Sequence, residues 1–348
     1  MMAASFSGPT ITDGLRHLIV DEKVGTVLIF ADNFTDSGSL ARLSANLQAL
    51  GRQAGLPAPL LIAVDEEGGR VMRITGGIAP LPSELELGAG GPQAVRDAVG
   101  ANATGLHALG VELNLAPVAD LRTNPADAVI GDRSYGGDPA TVGQLVAASI
   151  NGMHDGGVAA TLKHFPGLGG AAGDPHAAMP TDGETLDQWA ATQARSFQAG
   201  IDAGADAVMT TALVVPGLDP SGTPALFSRT VVTGLLRDRL HFQGVIVTDG
   251  LAMGGITLLY NLPDATVAAV RAGNDLVLLN SGDAGYEQAA IEAVKQQVRS
   301  GSIPMEQIQA SAGRVIALRA RWPAWAPSAM DAATPWPAFD PTVSLTRR

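Results

Sequence analysis

The sequence alternates short apolar runs with helical patterns, and it does so eight times. The strand-like runs cover residues 3–6, 26–30, 60–64, 111–115, 159–162, 207–209, 245–247 and 275–279. Continuous rather than alternating apolar runs are typical of parallel strands buried on both faces. Eight strand–helix units in a row therefore predict a (β/α)8 TIM barrel in the α/β class, with a doubly wound open sheet as the alternative.

Helical periodicity follows most of these runs, in residues 38–50, 93–109, 140–154, 185–203, 229–239, 264–272, 286–299 and 305–321. Ser228 is a predicted N-cap, and Gly273 a predicted C-terminal stop. No internal repeat or low-complexity linker divides the 348 residues. We predict one barrel domain over residues 1–322 and an irregular tail over 323–348, whose Trp325 and Trp336 favour packing on the barrel.

Composition excludes several classes of protein. A net charge of −12 without a basic run disfavours nucleic acid and anionic membranes as partners. The absence of cysteine excludes disulfides and thiolate chemistry. Neither a signal peptide nor an apolar run of about 18–20 residues is present, so a cytoplasmic location is expected unless a leader lies upstream.

Charged residues or histidine that could form a site follow four of the apolar runs within five residues. They are Asp65, Asp120, the pair Lys163–His164, and Asp249. Since the carboxyl ends of barrel strands meet on one face, we expect these side chains to surround one site. A buried lysine needs an anionic partner, and Asp65 or a ligand hydroxyl is the predicted partner of Lys163.

The longest polar stretch without helical periodicity runs from residue 163 to 176 and contains four glycines. A loop of this kind is typical of active-site lids. At its end, Asp174 and His176 lie two residues apart. A carboxylate that orients an imidazole makes a usable general acid/base, although Asp-Pro-His can also form a simple turn.

Six segments together resemble glycoside hydrolase family 3, and more narrowly its single-domain bacterial β-N-acetylglucosaminidases of the NagZ type. The segments are LIAVDEEGGRVMR (61–73), GVELNLAPVADL (110–121), VIGDRSYG (129–136), ATLKHFPGLGG (160–170), DPH (174–176) and GVIVTDGLAM (244–253). Their order and spacing fit over roughly residues 5–320.

The resemblance implies a role for each matching residue. Asp249 would be the nucleophile of a retaining mechanism, and Asp174 with His176 would form the general acid/base dyad. The residues that would grip the terminal sugar are Asp65, Arg73, Arg133, Lys163 and His164. Arg70 and Glu67 are expected to brace the turn after their strand. No metal or organic cofactor is implied, and the expected partner is a small carbohydrate bound by a monomer or weak dimer.

The chain departs from the family pattern on the rim of this site. Leu168 stands in place of a second His, Gly170 and Ala171 replace Asp or Thr, and Pro175 replaces Ser. Ala212 replaces a His, Gly250 an Asp and Ala252 a Ser. Proline fixes its own φ and pushes the preceding residue to an extended conformation. We expect a stiffer dyad loop with altered sugar or aglycone preference, or a dyad that has lost its role.

The sequence therefore predicts an exo-acting retaining β-N-acetylglucosaminidase that acts on muropeptides or chitin oligosaccharides. The alternatives are another β-glycosidase, a glycoside phosphorylase, or a catalytically silent sugar-binding barrel. A histidine acid/base would not repel incoming phosphate, and this motivates the phosphorylase alternative. The remaining histidines lie in helical patterns or at helix ends, where surface or capping roles are expected: His17, His107, His154 and His241.

Overall fold

The computed structural model describes residues 1–124, 129–171 and 173–322. Its strands are β1 Met2–Ala4, β2 Thr26–Leu28, β3 Leu61–Val64, β4 Leu113–Asn114, β5 Ala159–Phe165, β6 Ala207–Thr210, β7 Val245–Thr248 and β8 Val277–Leu278. They pair in parallel in the order β7-β6-β5-β4-β3-β2-β1-β8. A parallel β-bridge between Val247 of β7 and Leu276, the residue before β8, brings the two ends of the sheet together. The predicted TIM barrel is confirmed, and the open-sheet alternative is wrong.

Helices surround the strands and connect them. They are α1 Asp13–Val20, α2 Ser37–Gln53, α3 Glu84–Gly88, α4 Gly91–Ala108, α5 Pro139–Asp155, α6 Leu186–Ala191, α7 Gln193–Asp202, a π-helix Thr230–Arg239, α8 Gly254–Thr257, α9 Leu262–Ala272, α10 Ala284–Arg299 and α11 Met305–Arg321. Both predicted caps are confirmed: Ser228 Oγ accepts from the Val231 amide at 3.1 Å, and Gly273 has φ 112°.

The predicted single helix over residues 185–203 is wrong. Thr192 has φ −120° and ψ −99°, which separates α6 from α7. The Thr192 hydroxyl donates to the carbonyl of Gln188 at 2.7 Å. Such local side-chain hydrogen bonds compete with regular helix, and periodicity alone does not register them.

Small and aliphatic side chains fill the barrel interior. This cluster comprises Ala3, Leu28, Leu61, Ala63, Leu113, Leu115, Ala159, Ala207, Met209, Val245, Val247, Leu276 and Leu278. Val315 and Leu318 of α11 join it from below, and Arg319 Nε donates to the carbonyl of Pro59 at 2.6 Å. Because α11 closes the amino-terminal ends of the strands, the opposite face is where a ligand can enter.

The described chain ends where α11 meets the barrel wall. Trp322 Nε1 donates to Asp206 at 2.9 Å, and its ring lies 5.0 Å from that of His154. The predicted tail, residues 323–348, lies outside the described residues, so the division at residue 322 stays a prediction. Among the described helices, none combines the length and apolarity needed to cross a membrane.

Candidate active site

A cavity of about 270 Å³ opens at the carboxyl ends of the strands. Seven of the eight predicted site residues line it: Asp65, Arg73, Arg133, Lys163, His164, His176 and Asp249. Asp174 reaches the cavity through His176. Lys163 and His164 lie within β5 rather than after it, because that strand runs to Phe165. Of the four polar strand ends expected to surround one site, three line the cavity, whereas Asp120 does not.

An ion-pair clamp, formed by Asp65, Glu67, Arg133 and Lys163, makes one wall of the cavity. Lys163 Nζ lies 2.7 Å from Asp65 Oδ1 and 2.6 Å from Glu67 Oε1. Arg133 binds Glu67 in a bidentate manner, with Nε at 2.7 Å and a terminal nitrogen at 2.8 Å. Glu67 therefore braces both cations on the cavity wall, rather than the turn after its own strand as expected. The anionic partner predicted for Lys163 is present.

Burial and charge act in opposite directions on the clamp. Burial alone would raise the pKa of Glu67, but Lys163 and Arg133 outweigh it and hold that pKa well below its usual range. Burial would lower the pKa of Lys163, but Asp65 and Glu67 reverse this and raise it. Nearby Glu84 accepts from the Val118 backbone amide at 2.9 Å, and burial raises its pKa well above the usual value. Glu67, Lys163 and Arg133 are therefore ionised at neutral pH.

Asp120 orients His164 from behind the cavity wall. Its Oδ2 lies 2.7 Å from His164 Nδ1, and its Oδ1 accepts from the Leu168 amide at 2.7 Å. His164 Nε2 lies 3.2 Å from a terminal nitrogen of Arg133. Asp120 was among the strand-end residues but was not assigned to the site, because the sequence does not reveal which side chain it would meet.

Asp249 follows β7, and two donors hold its carboxylate. Thr211 Oγ1 donates to Oδ2 at 2.8 Å, and the Gly250 amide donates to Oδ1 at 2.8 Å. Thr211 is a residue that the sequence reasoning missed, since a lone Thr after a strand carries no signal. Asn280 packs against Gly250, where an added Cβ would lie 2.5 Å from Asn280 Nδ2. The loss of a side chain at position 250 thus makes room for Asn280.

The predicted Asp174–His176 dyad forms in the structure. His176 Nδ1 lies 2.8 Å from Asp174 Oδ1, and the His176 amide donates to the same oxygen at 2.9 Å. The two hydrogen bonds to His176 hold the pKa of Asp174 below its usual value, against the opposing effect of partial burial. The dyad is much more exposed than the clamp, with 66% of the His176 side chain and 47% of the Asp174 side chain accessible.

The residues that depart from the family pattern are apolar or lack a side chain, and several of them lie on the rim of the cavity. Leu168 is 3% exposed and lines the cavity, as does the buried Pro175. Ala212 is fully buried. Ala252 donates its amide to Asn280 Oδ1 at 3.0 Å. Of the positions that depart from the family pattern, Leu168, Pro175 and Gly250 line the cavity.

Arg73 and Arg70 differ in what they contact. Arg73 lines the cavity, and its buried Nε has no hydrogen-bond partner among the described residues. Arg70 points away, with Nε 3.0 Å from Asp132 and a terminal nitrogen 2.6 Å from the carbonyl of Val129. Arg73 is thus available to a ligand, whereas Arg70 fixes the turn that carries Arg133.

The histidines predicted to be structural lie outside the cavity. His17 pairs with Asp21 on the surface at 2.6 Å, and His154 pairs with Asp206 at 2.8 Å below the barrel. Neither His107 nor His241 is among the residues that line the cavity.

Curated relatives carry the name β-hexosaminidase. The protein from Thiobacillus denitrificans is 38% identical over 282 residues, which cover 78% of this chain and 76% of the relative. The protein from Idiomarina loihiensis is 34% identical over 287 residues, covering 81% of this chain and 84% of the relative.

Solved structures of other proteins superpose on this chain. A family 3 β-N-acetylglucosaminidase from a Paenibacillus species superposes with a TM-score of 0.90 at 38% identity, over 95% of this chain and 63% of that one. This chain therefore spans less than two thirds of that enzyme. NagZ from Neisseria gonorrhoeae superposes with a TM-score of 0.73 at 30% identity, over 92% of this chain and 97% of that one.

The family model described as the glycosyl hydrolase family 3 N-terminal domain matches residues 3–318. This range runs from β1 to the last helix and includes every residue of the cavity described above. The chain belongs to glycoside hydrolase family 3.

Proposed function

We propose that this chain is an exo-acting retaining β-N-acetylglucosaminidase that releases terminal GlcNAc through a covalent glycosyl-aspartate. The coarser part of this statement, a β-N-acetylhexosaminidase, is supported by the names of its relatives. The observation that carries the proposal is that Asp249, His176 and the clamp cations face one cavity of about 270 Å³. That volume lies just below the ligand-pocket range of about 300–1,000 Å³, which favours a single terminal sugar.

Asp249 is the proposed nucleophile. The Thr211 hydroxyl and the Gly250 amide each donate to one of its oxygens. These hydrogen bonds stabilise the anionic carboxylate and fix its direction. Attack on the anomeric carbon passes through an oxocarbenium-like transition state, which a nearby carboxylate stabilises before it forms the covalent bond.

The dyad provides the proton transfers of both steps. Asp174 binds His176 through Nδ1 at 2.8 Å, which leaves Nε2 for the substrate. His176 protonates the leaving oxygen when Asp249 attacks, and it then removes a proton from the water that hydrolyses the glycosyl-enzyme. An imidazole here replaces the second carboxylate that most retaining glycosidases use.

The sugar-binding part of the proposal rests on the clamp together with Arg73 and His164. Lys163 and Asp65 bind each other at 2.7 Å and present a donor and an acceptor to sugar hydroxyls. Their mutual contact holds both side chains in place before a ligand arrives, which reduces the entropy lost on binding. The aglycone is proposed to be the remainder of a muropeptide or a chitin oligosaccharide.

The first test replaces the nucleophile. Asp249→Asn keeps the shape of the side chain but removes the charge that attacks, so we expect kcat to fall by at least about 10³-fold. Activity is measured on an aryl β-N-acetylglucosaminide, and a fluorinated GlcNAc analogue is used to trap the adduct by mass spectrometry. Thr211→Val, which removes one hydrogen bond to Asp249, serves as the milder comparison. Turnover by Asp249→Asn near the wild-type rate would exclude Asp249 as the nucleophile.

The second test is a panel of aryl β-glycosides of GlcNAc, GalNAc, glucose and xylose, with and without phosphate. We expect GlcNAc to be preferred and phosphate to leave the product unchanged. Formation of GlcNAc 1-phosphate would instead identify a phosphorylase, and preference for glucose or xylose would identify another glycosidase. Binding of GlcNAc with no turnover of any glycoside would identify a sugar-binding barrel. Release of GlcNAc from a muropeptide and from chitobiose then compares the two natural substrate classes.

A further inference from the structure

Two glycines contact the backbone of the acid/base loop, which we define as residues 173–179. The Gly254 amide donates to the carbonyl of His176 at 3.1 Å, and the Gly255 amide donates to the carbonyl of Pro175 at 2.9 Å. Both amides belong to the first turn of α8. The first N–H groups of a helix have no intrahelical acceptor, so they are free to bind carbonyls of another segment.

Neither position has room for a side chain. A Cβ on Gly254 would lie 2.3 Å from the carbonyl oxygen of His176. A Cβ on Gly255 would lie 2.6 Å from the carbonyl oxygen of Pro175 and 2.9 Å from that of Ala178. These neighbours are backbone atoms, and they cannot turn aside as a flexible side chain can. Any side chain at either glycine therefore displaces the loop that carries His176.

The segment between Asp249 and these glycines is itself fixed to the barrel. The Asp249 amide donates to the carbonyl of Thr210 at 2.7 Å, and the Leu251 amide to that of Leu278 at 3.0 Å. Asn280 Oδ1 accepts from the Ala252 amide at 3.0 Å. A rigid turn therefore runs from the proposed nucleophile to the two glycines and on to the proposed acid/base.

We propose that Gly254 and Gly255 are positioning residues that hold the acid/base loop, and with it His176, over the cavity of Asp249. They act through the loop backbone and do not contact substrate. The inference rests on the proposed function, since it assigns a role to His176 as acid/base. It predicts that a single methyl group at either glycine impairs proton transfer while leaving the sugar-binding wall intact.

The test is Gly254→Ala and Gly255→Ala, each measured on aryl β-N-acetylglucosaminides whose phenol leaving groups differ in acidity. General acid catalysis contributes about 10²–10⁴-fold, and a poor leaving group needs it most. We expect kcat/KM to fall about 10²-fold for the poorest leaving group and to stay near the wild-type value for a dinitrophenyl glycoside. An equal loss for every leaving group, or no loss at all, would overturn the proposal.

Gly313→Ala is the matched control. Gly313 lies in α11, and an added Cβ there would meet no atom within 4 Å. Alanine is the better helix former, so helix propensity does not explain a loss at position 254 or 255. The control is expected to match the wild type on every substrate.

A measurement on the wild type keeps the proposal testable if the variants do not fold. Amide hydrogen exchange at Gly254 and Gly255 is expected to be slow, because both N–H groups are hydrogen-bonded to the loop. Exchange as fast as in an unstructured peptide would overturn the proposal. Failure of the wild type to hydrolyse any β-N-acetylglucosaminide would refute the proposed function, whereas wild-type behaviour of both glycine variants would refute this inference alone.

Discussion

The two sides of the cavity are held in different ways. On one side, the ion-pair clamp lies on strands and a short helical turn, with 2% of the Lys163 and Glu67 side chains exposed and 11% of that of Arg133. On the other side, His176 is 66% exposed and lies on a loop held by backbone hydrogen bonds. Sugar binding needs a fixed wall, whereas an acid/base must serve a leaving group and then a water molecule. The difference in burial thus matches a difference in proposed task.

The largest expected effect is a loss of activity without a loss of stability, on the exposed side of the cavity. His176→Ala should lower kcat about 10³-fold on a poor leaving group, because general acid catalysis is lost. The unfolding midpoint should stay unchanged, since the imidazole is mostly exposed. Kinetics and thermal unfolding measure the two quantities. The control is His17→Ala, which removes an exposed His–Asp pair on α1 and should leave both unchanged. Unchanged hydrolysis of both activated and natural glycosides by His176→Ala would show that the dyad has lost its role.

The next effect is on stability at the buried side. Glu67→Gln leaves Arg133 and Lys163 short of a buried counter-charge, and breaking a buried pair costs about 3–5 kcal/mol. The free energy of unfolding should fall by about 3 kcal/mol in a denaturant titration. Asp155→Asn removes an exposed pair with Arg96 and is expected to cost under about 1 kcal/mol. Equal losses in the two variants would contradict the distinction between the sides.

The pH dependence of the clamp follows from the direction of its pKa shift. The folded-state pKa of Glu67 is lowered, so its contribution to stability is present above the unfolded value of 4.5 and is lost as the pH falls below it. Glu67→Gln should therefore show a smaller loss of stability than the wild type between neutral and acidic pH. The same denaturant titrations, repeated at several pH values, measure this.

The last effect, measured as a slope of stability with pH, concerns Glu287 of α10, a buried carboxyl that joins the ends of β1 and β8. It accepts from the amides of Ser5 and Ser281 at 3.3 and 3.2 Å, and burial raises its pKa from 4.5 to about 7. A raised pKa stabilises the fold below 4.5, and this contribution is lost as the pH rises to about 7. The slope is at most about 1.4 kcal/mol per pH unit. Glu287→Gln should remove this dependence of the unfolding free energy on pH. Glu306→Gln, which changes an exposed carboxyl, is the control and should leave the slope unchanged. A slope that is retained in Glu287→Gln would contradict the raised pKa of Glu287 as its cause.

Much of the buried side could be predicted because it is encoded locally. In a barrel, charged residues that directly follow apolar runs meet at the carboxyl ends of the strands, which is how Asp65 and Lys163 were located. The exposed side was predictable in part, since Asp174 and His176 are only two residues apart and find each other without long-range contacts. The apolar rim around Leu168 was visible only as a departure from a family pattern.

The sequence alone predicted the barrel from its hydrophobic periodicity and the pairing of Asp174 with His176 from their short spacing, because both signals act within a few residues of chain. The resemblance to a family implied the roles of the other site residues, such as Arg73 and Arg133. Only the tertiary structure decided that Glu67 binds both Lys163 and Arg133, the second of which lies 66 residues after Glu67 in the sequence. It also decided that Asp120 orients His164 and that two glycines after the proposed nucleophile support the loop of the proposed acid/base. Strand register and loop closure bring these partners together from distant parts of the chain, and no local sequence pattern indicates which residues will meet.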